Sequence, residues 1–147
     1  MKIVFLDQLG CYAAVAAASY EAGIIGEDAK ASDIERLSQF GAHQDMSVGN
    51  MSYIGKNREG YELYTLGTGR YSSLIAISAL DLFEILGVTD EIKIIDVSAD
   101  NSLLITIASY LKWMRVLEKE AVYFAAYIIE KNMPQIVRKI KDELRMS

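Results

Sequence analysis

Residues 1–23 read MKIVFLDQLG followed by CYAAVAAASYEAG, and this stretch decides the fold. Ile3, Val4, Phe5 and Leu6 form a continuous apolar run between Lys2 and Asp7. Four such residues suit a strand buried on both faces, as in a parallel sheet. Asp7-Gln8-Leu9-Gly10 then turns the chain. The helix expected next carries Ala13, Ala14, Ala16, Ala17 and Ala18. Alanine is the best helix former, and its bare methyl lets a helix lie close to a sheet. Gly23 is placed to end that helix. Strand, turn and helix make half of a βαβ unit. In open α/β sheets the ligand crevice lies outside the carboxyl ends of the strands. The first turn of a helix also has unpaired N–H groups, which favour an anion. Asp7 to Tyr12 is therefore the first candidate wall of a site.

Working outward, Ser32-Asp33-Ile34-Glu35 has the pattern of a capping box and predicts a short helix over Asp33 to Phe40. Ala42 to Asn50 reads as a polar surface loop and holds the single histidine, His43. Met51 to Lys56 and Tyr61 to Leu66 are strand-like, and Asn57-Arg58-Glu59-Gly60 joins them as a β-hairpin. Leu66-Gly67-Thr68-Gly69-Arg70-Tyr71-Ser72-Ser73 is a second strand-to-helix junction. Its helix is expected over Tyr71 to Leu86, stopped by Gly87, with Leu74, Ile77, Leu80 and Ile85 as the buried stripe. Glu91 to Ser98 contains Ile92, Ile94, Ile95 and Val97 and reads as a central strand. Asp96 to Asn101 is the third junction. Beyond Ser102 the pattern is helical: Leu103 to Arg115, then Glu118 to Lys131. A last helix follows, capped by Asn132 with Pro134 in its first turn, where the lost N–H does no harm.

These elements predict one α/β domain over residues 1–147. It is a three-layer, Rossmann-like domain with a mostly parallel sheet, one hairpin and a helical C-terminal extension from residue 102. A chain of 147 residues with 52% apolar and 24% charged residues is long enough to bury a sizeable core. The net charge of −5 leaves no nucleic-acid footprint overall. One cysteine forbids an internal disulfide. The apolar run after Lys2 stops at Asp7, too early for a secretory signal, and the longest uncharged apolar run, Ala121 to Ile129, is too short to span a bilayer. A cytoplasmic location without membrane contact is expected. Ala121 to Ile129 is apolar around the whole helix and must be covered on all sides. That predicts a homo-oligomer, a dimer joined through the C-terminal helices. The last helix carries five cationic against two acidic residues, which fits a solvated face or a contact for an acidic partner.

The start MKIVF, the Gly10 turn, the VAAAS helix, the hairpin ending LGTG and the later IIDVSADNSLL resemble a family of short Firmicute proteins. That family is known only as domain of unknown function number thirty-one eighty-nine. The resemblance covers nearly the whole chain and rests on order and spacing rather than on one motif. It implies an α/β fold and a cytoplasmic protein, and it brings no reaction with it. Family members carry an aromatic-Cys-aromatic-Gly-Gly-x-His-Ser-Ser turn after the first strand. Across the matching positions here, Asp7 through Ala14, only the second Gly survives, and Cys11 does not stand at the family's cysteine position. The resemblance thus implies a degenerate paralogue, able to assemble with an intact relative.

Several chemistries are weighed on these residues. Cys11 sits where a helix N-terminus lowers a thiol pKa, yet a nucleophile needs a base or an oxyanion partner. The arginine of a phosphatase loop is replaced by Ala16 and Ala17, so a small buried hydrophobe is the plainer reading. Asp7 resembles the nucleophile of haloacid-dehalogenase-like phosphatases, but Leu9 stands where their second Asp belongs. Asp7, Asp96 and Asp100 could hold Mg²⁺ for a hydrolase; equally, Asp7 and Asp96 could cap their junctions. Gly67-Thr68-Gly69 is a fragment of a phosphate loop, lacking the further glycine or the Gly-Lys-Ser/Thr of the full patterns. His43 has no partners at metal-ligand spacing. The site expected is a crevice for a small anionic ligand, a nucleotide or phosphate ester, lined by Asp7, Gly10, Cys11, Gly67, Gly69, Arg70, Ser72, Ser73, Asp96 and Asn101. In it Arg70 pairs with the charge and no metal ligand or catalytic residue is assigned; the cofactor is left unspecified. The rival readings are an interaction subunit without a ligand and the Asp-based hydrolase.

Overall fold

The computed structural model of the chain describes residues 1–42, 49, 51–98, 107–108, 110–111 and 117–145. Strand β1 spans Lys2–Asp7 and helix α1 Ala13–Glu21. A single helical turn, α2, covers Ala31–Ile34. Strands β2, Met51–Lys56, and β3, Glu62–Gly67, form the hairpin, and a 3-10 turn at Gly69–Tyr71 leads into α3, Ser72–Leu86. Strand β4, Ile92–Asp96, and the long helix α4, Glu118–Arg145, complete the described elements. The sheet order is β2-β3-β1-β4. β1 is parallel to both β3 and β4, and only β2 runs antiparallel, paired with β3.

β1 is the centre of this arrangement because its apolar run has two covered faces. Ile3, Phe5, Leu63 and Ile95 share one core with the alanines of α1, with Ile34 of α2 and with the inner face of α4. Val4 and Leu6 alternate to the other face, where α3 lies against β1 and β4. The crossover from β1 to β3 and the crossover from β3 to β4 move in opposite directions along the sheet. Right-handed crossovers therefore place α1 and α3 on opposite faces, giving helix, sheet and helix layers.

The hairpin forms as the sequence predicts. Its turn is tied by Asn57, whose Oδ1 accepts from the amides of Glu59 (3.0 Å) and Tyr61 (2.9 Å). A register shift between Tyr53 and Gly55 puts an irregularity in β2, the edge strand. Gly23, at φ +73°, follows the last turn of α1 in the left-handed conformation that glycine adopts freely.

Three expectations are corrected. The helix predicted over Asp33 to Phe40 is only the turn Ala31–Ile34. Asp33 accepts from the Lys30 amide (3.0 Å), so the cap lies two residues earlier than Ser32, and the chain continues in separate turns that bring Phe40 onto Tyr12, ring edge to ring face. The predicted break before Pro134 does not exist: α4 is continuous from Glu118 to Arg145 with Pro134 inside it. Ala125, Ile129, Met133, Ile136, Val137 and Ile140 stay in helical phase across the proline and are buried. That continuous apolar contact outweighs one missing hydrogen bond. The stripe Leu74, Ile77, Leu80, Ile85 is not buried but exposed. α3 is apolar on both sides, so periodicity could not choose its inner face. The sheet takes the side with the smaller residues, Ala76 and Ala79 with Ile75 and Phe83, all half-buried.

α4 is only partly covered by the other described residues. Ala121, Ala125, Ala126, Ile128 and Ile129 are buried, while Tyr123, Phe124 and Tyr127 are exposed. Near its C-terminus, Lys93 of β4 donates to the Glu143 carbonyl, placing a cation at the negative end of the helix. Among the described residues no helix is long and apolar enough to cross a membrane. Of the helix expected over Leu103 to Arg115, residues Ile107, Ala108, Tyr110 and Leu111 are described and helical. His43 and most of its loop lie outside the described residues, as do Asp100 and Asn101.

Candidate functional site at the strand ends

β3, β1 and β4 are adjacent and parallel, so Gly67, Asp7 and Asp96 end on one edge of the sheet. The helices after β1 and β3 leave to opposite faces, and the ends of β1 and β3 lie side by side on this edge. Two of the three predicted loops meet there directly. The amide of Thr68 donates to the Asp7 carbonyl (3.0 Å), and so does the Thr68 hydroxyl (3.0 Å). The amide of Gly69 donates to the Gln8 carbonyl (2.8 Å). Gly10 makes this approach possible. A Cβ there would lie 2.5 Å from the Gly67 nitrogen, and one on Gly67 would lie 2.8 Å from the Leu9 carbonyl carbon and oxygen. The two loops are closed backbone to backbone.

Asp7 lies beneath them, 4% exposed. Its Oδ1 accepts from the amides of Leu9 (2.9 Å) and Gly10, and its Oδ2 from those of Tyr12 (3.3 Å) and Ala14 (2.8 Å). An ionised carboxylate has about four acceptor positions, and all four are used. Burial pushes the Asp7 carboxyl above its ordinary range, against the opposing pull of the amides of Ala14, Gly10, Leu9 and Tyr12. The place where an anion is expected, at the N-terminus of α1, is thus filled by the chain's own side chain. Asp7 has no lone pair left for a cation, and among the described residues no three potential metal ligands cluster.

The third loop is joined to the second by side chains. Ser98 Oγ donates to Asp96 Oδ1 (2.6 Å), which also accepts the Ser98 amide (3.0 Å). A hydroxyl has one proton, so at the 3.1 Å contact between Ser98 and Ser72 the Ser72 hydroxyl is the donor. The result is a chain from Ser72 through Ser98 to Asp96, linking the start of α3 to the end of β4. Ser98 was not among the predicted residues. Its signal was present: Asp followed two residues later by Ser at a strand end is an Asx-type turn.

The other predicted residues divide. Gly69, at φ +64°, is half-buried in the 3-10 turn before α3. Arg70 and Ser73 are exposed at that same end of α3. Arg70 makes no ion pair with any described residue, and Asp7 is closed to it. Among the described residues no side chain caps the first turn of α3. Cys11 is buried, and its carbonyl accepts the Gly41 amide (2.8 Å). Asn101 lies outside the described residues.

A family model described as "Protein of unknown function (DUF3189)" matches residues 2–143 of the chain. No curated protein and no solved structure matches it.

Proposed function

We propose, from the premise that the chain belongs to the DUF3189 family, that it is a non-catalytic binding module for a small anion, a nucleotide or phosphate ester, held at the α3 end of the strand rim. One contrast carries this reading. Two helix N-termini open onto the same edge; that of α1 is filled by the Asp7 carboxylate, and that of α3 has no side-chain cap among the described residues. The amides at a helix start favour an anion, and Arg70, exposed at that end of α3, supplies a planar fork suited to phosphate. Ser73 adds an exposed hydroxyl. Asp96 and Ser98 hold Ser72 in place at the helix start. Asp7 has a structural role, so no hydrolytic step is assigned to it.

Thermal unfolding in the presence of inorganic phosphate, AMP and ADP tests this. A ligand that binds the folded state at one hundred times its Kd stabilises by about 2.7 kcal/mol. A rise in Tm that is lost in Arg70→Ala is expected. No rise with any of the three at millimolar concentration rejects the reading.

A further inference from the structure

The outer face of α4 carries one continuous seam. From Glu120 to Arg145, the positions reached by alternating steps of four and three residues are all exposed, and that spacing keeps side chains on a single helix face. The opposite face is the one packed into the core. The seam is graded along its length. Its first part holds Glu120, Phe124 (43% exposed) and Tyr127 (45% exposed), and its last part holds Arg138, Lys141 and Arg145. Lys131 and Pro134 stand between them. Area does not decide what covers this face: with Tyr123 alongside, the aromatic side chains expose on the order of 300 Å², no more than a lone monomer shows. Charge does. A carboxylate and two aromatic rings at one end and three cations at the other make a pattern complementary to its own reverse.

We propose that a second copy of this chain packs its α4 antiparallel along this seam, about a two-fold axis between Lys131 and Pro134. In that register Glu120 meets Arg145 of the partner subunit. Phe124 meets Lys141 of the partner subunit, and Tyr127 meets Arg138 of the partner subunit, each a cation against an aromatic ring. Beside the seam, the Tyr123 hydroxyl donates to Asp142 of the partner subunit. Lys131 lies near the axis, but its Nζ is 5.2 Å from the centre of the Tyr127 ring of its own chain. It leans toward the N-terminus of α4, as helical side chains do, so the two copies of this lysine point apart. Lys141 is held by Glu27 (3.2 Å), which leaves its alkyl stem as a surface for the ring. Parallel pairing would set every cation against its own copy. A flat anionic membrane would attract one end of the seam and repel Glu118 and Glu120 at the other. The antiparallel pair also opposes the two helix dipoles. Such an interface is isologous, with each contact made twice. It lies on α4 and is independent of the anion reading.

Sedimentation velocity of the full chain at roughly 10–100 µM, where such interfaces are populated, gives the first test. A dimer is expected, and the double variant Phe124→Lys, Tyr127→Lys is expected to sediment as a monomer with an unchanged far-UV spectrum. Both side chains are exposed, so the substitutions leave the core intact. A charge swap tests the register. Glu120→Arg alone and Arg145→Glu alone should each weaken the dimer about tenfold, since an exposed ion pair is modest but occurs twice. The double variant Glu120→Arg, Arg145→Glu should recover it. A monomeric wild-type chain overturns the proposal, and so does a dimer that survives the lysine pair. A charge swap that fails to restore the dimer overturns the antiparallel register.

Discussion

Replacing Gly10 by alanine separates two costs that usually come together. Gly10 has φ +73°, and Gly87, at the end of α3, has φ +70°. An L-residue in this region costs about 1–2 kcal/mol from Cβ against its own backbone. At Gly87 that is the whole cost, because a Cβ there meets nothing within 4 Å. At Gly10 the added methyl would stand 2.5 Å from the Gly67 nitrogen and 3.0 Å from the Leu66 carbonyl carbon. Both neighbours are backbone, and no rotamer change relieves the overlap. The loops must part, which strains the Thr68 and Gly69 amide bonds to Asp7 and Gln8, each worth about 1 kcal/mol. Gly10→Ala should therefore cost about 3–5 kcal/mol and Gly87→Ala about 1–2 kcal/mol. Urea denaturation of both variants beside wild type measures the difference. Equal losses within about 0.5 kcal/mol, the usual margin for independent sites, would refute the claim that the two loops are closed against each other.

Three further substitutions test the buried polar groups and the proline of α4. Asp7→Asn puts a donor amide where two backbone amides now find an acceptor, and should destabilise by about 2–4 kcal/mol in the same assay. Because burial raises the Asp7 pKa above its unfolded value of 3.8, the stability it contributes is fullest below that pH and is lost as pH rises through the folded pKa; a wild-type advantage over Asp7→Asn that grows with pH would contradict this sign. Thr65 is fully buried beside the alanines of α1, and its hydroxyl has no partner among the described residues; Thr65→Val keeps the shape and should stabilise by about 1 kcal/mol. Pro134→Ala restores an amide to the interior of α4 and should raise stability by about 1–3 kcal/mol, whereas a loss would show that the proline ring contributes more by packing than its missing N–H costs.

What the sequence disclosed depended on whether a signal was local. β1 was legible because four apolar residues in a row have one common explanation, two covered faces. The Asn57 turn and Gly23 were legible because each needs only its own neighbours. The α3 stripe was not. A helix apolar on two sides satisfies the periodicity test in more than one phase, and the choice falls to the sheet beneath, which accepts Ala76 and Ala79 more closely than Leu74 and Ile77. Pro134 misled for a related reason: a local breaker was weighed against local propensity, while the deciding contacts come from α1 and α2. At the strand ends, sequence placed the loops on one rim but not the direction of their hydrogen bonds. It therefore counted Asp7 and Ser72 as donors of function to a ligand, when their polar atoms are engaged with Ala14 and with Ser98.

The internal use of Asp7 shifts the weight of any functional argument away from the first loop. Helix starts in this class of fold attract anions because the aligned peptide groups leave a partial positive charge and unpaired N–H groups there. A carboxyl group fixed at that place by four amides occupies those donors and closes the loop on itself. An external anion arriving at the end of β1 would find those four amides engaged by the Asp7 side chain instead of open. The same edge offers a second helix start a few residues beyond Gly69, without such a carboxylate and with a guanidinium exposed beside it. If this chain binds an anion at its sheet edge, electrostatics places it on α3, and Arg70→Ala should remove binding while Asp7→Asn lowers stability without giving the loop a new ligand. A variant of Asp7 that gained phosphate affinity at α1 and lost none at α3 would show that both helix starts compete for the same class of ligand, and that Asp7 acts as an occupant of the first.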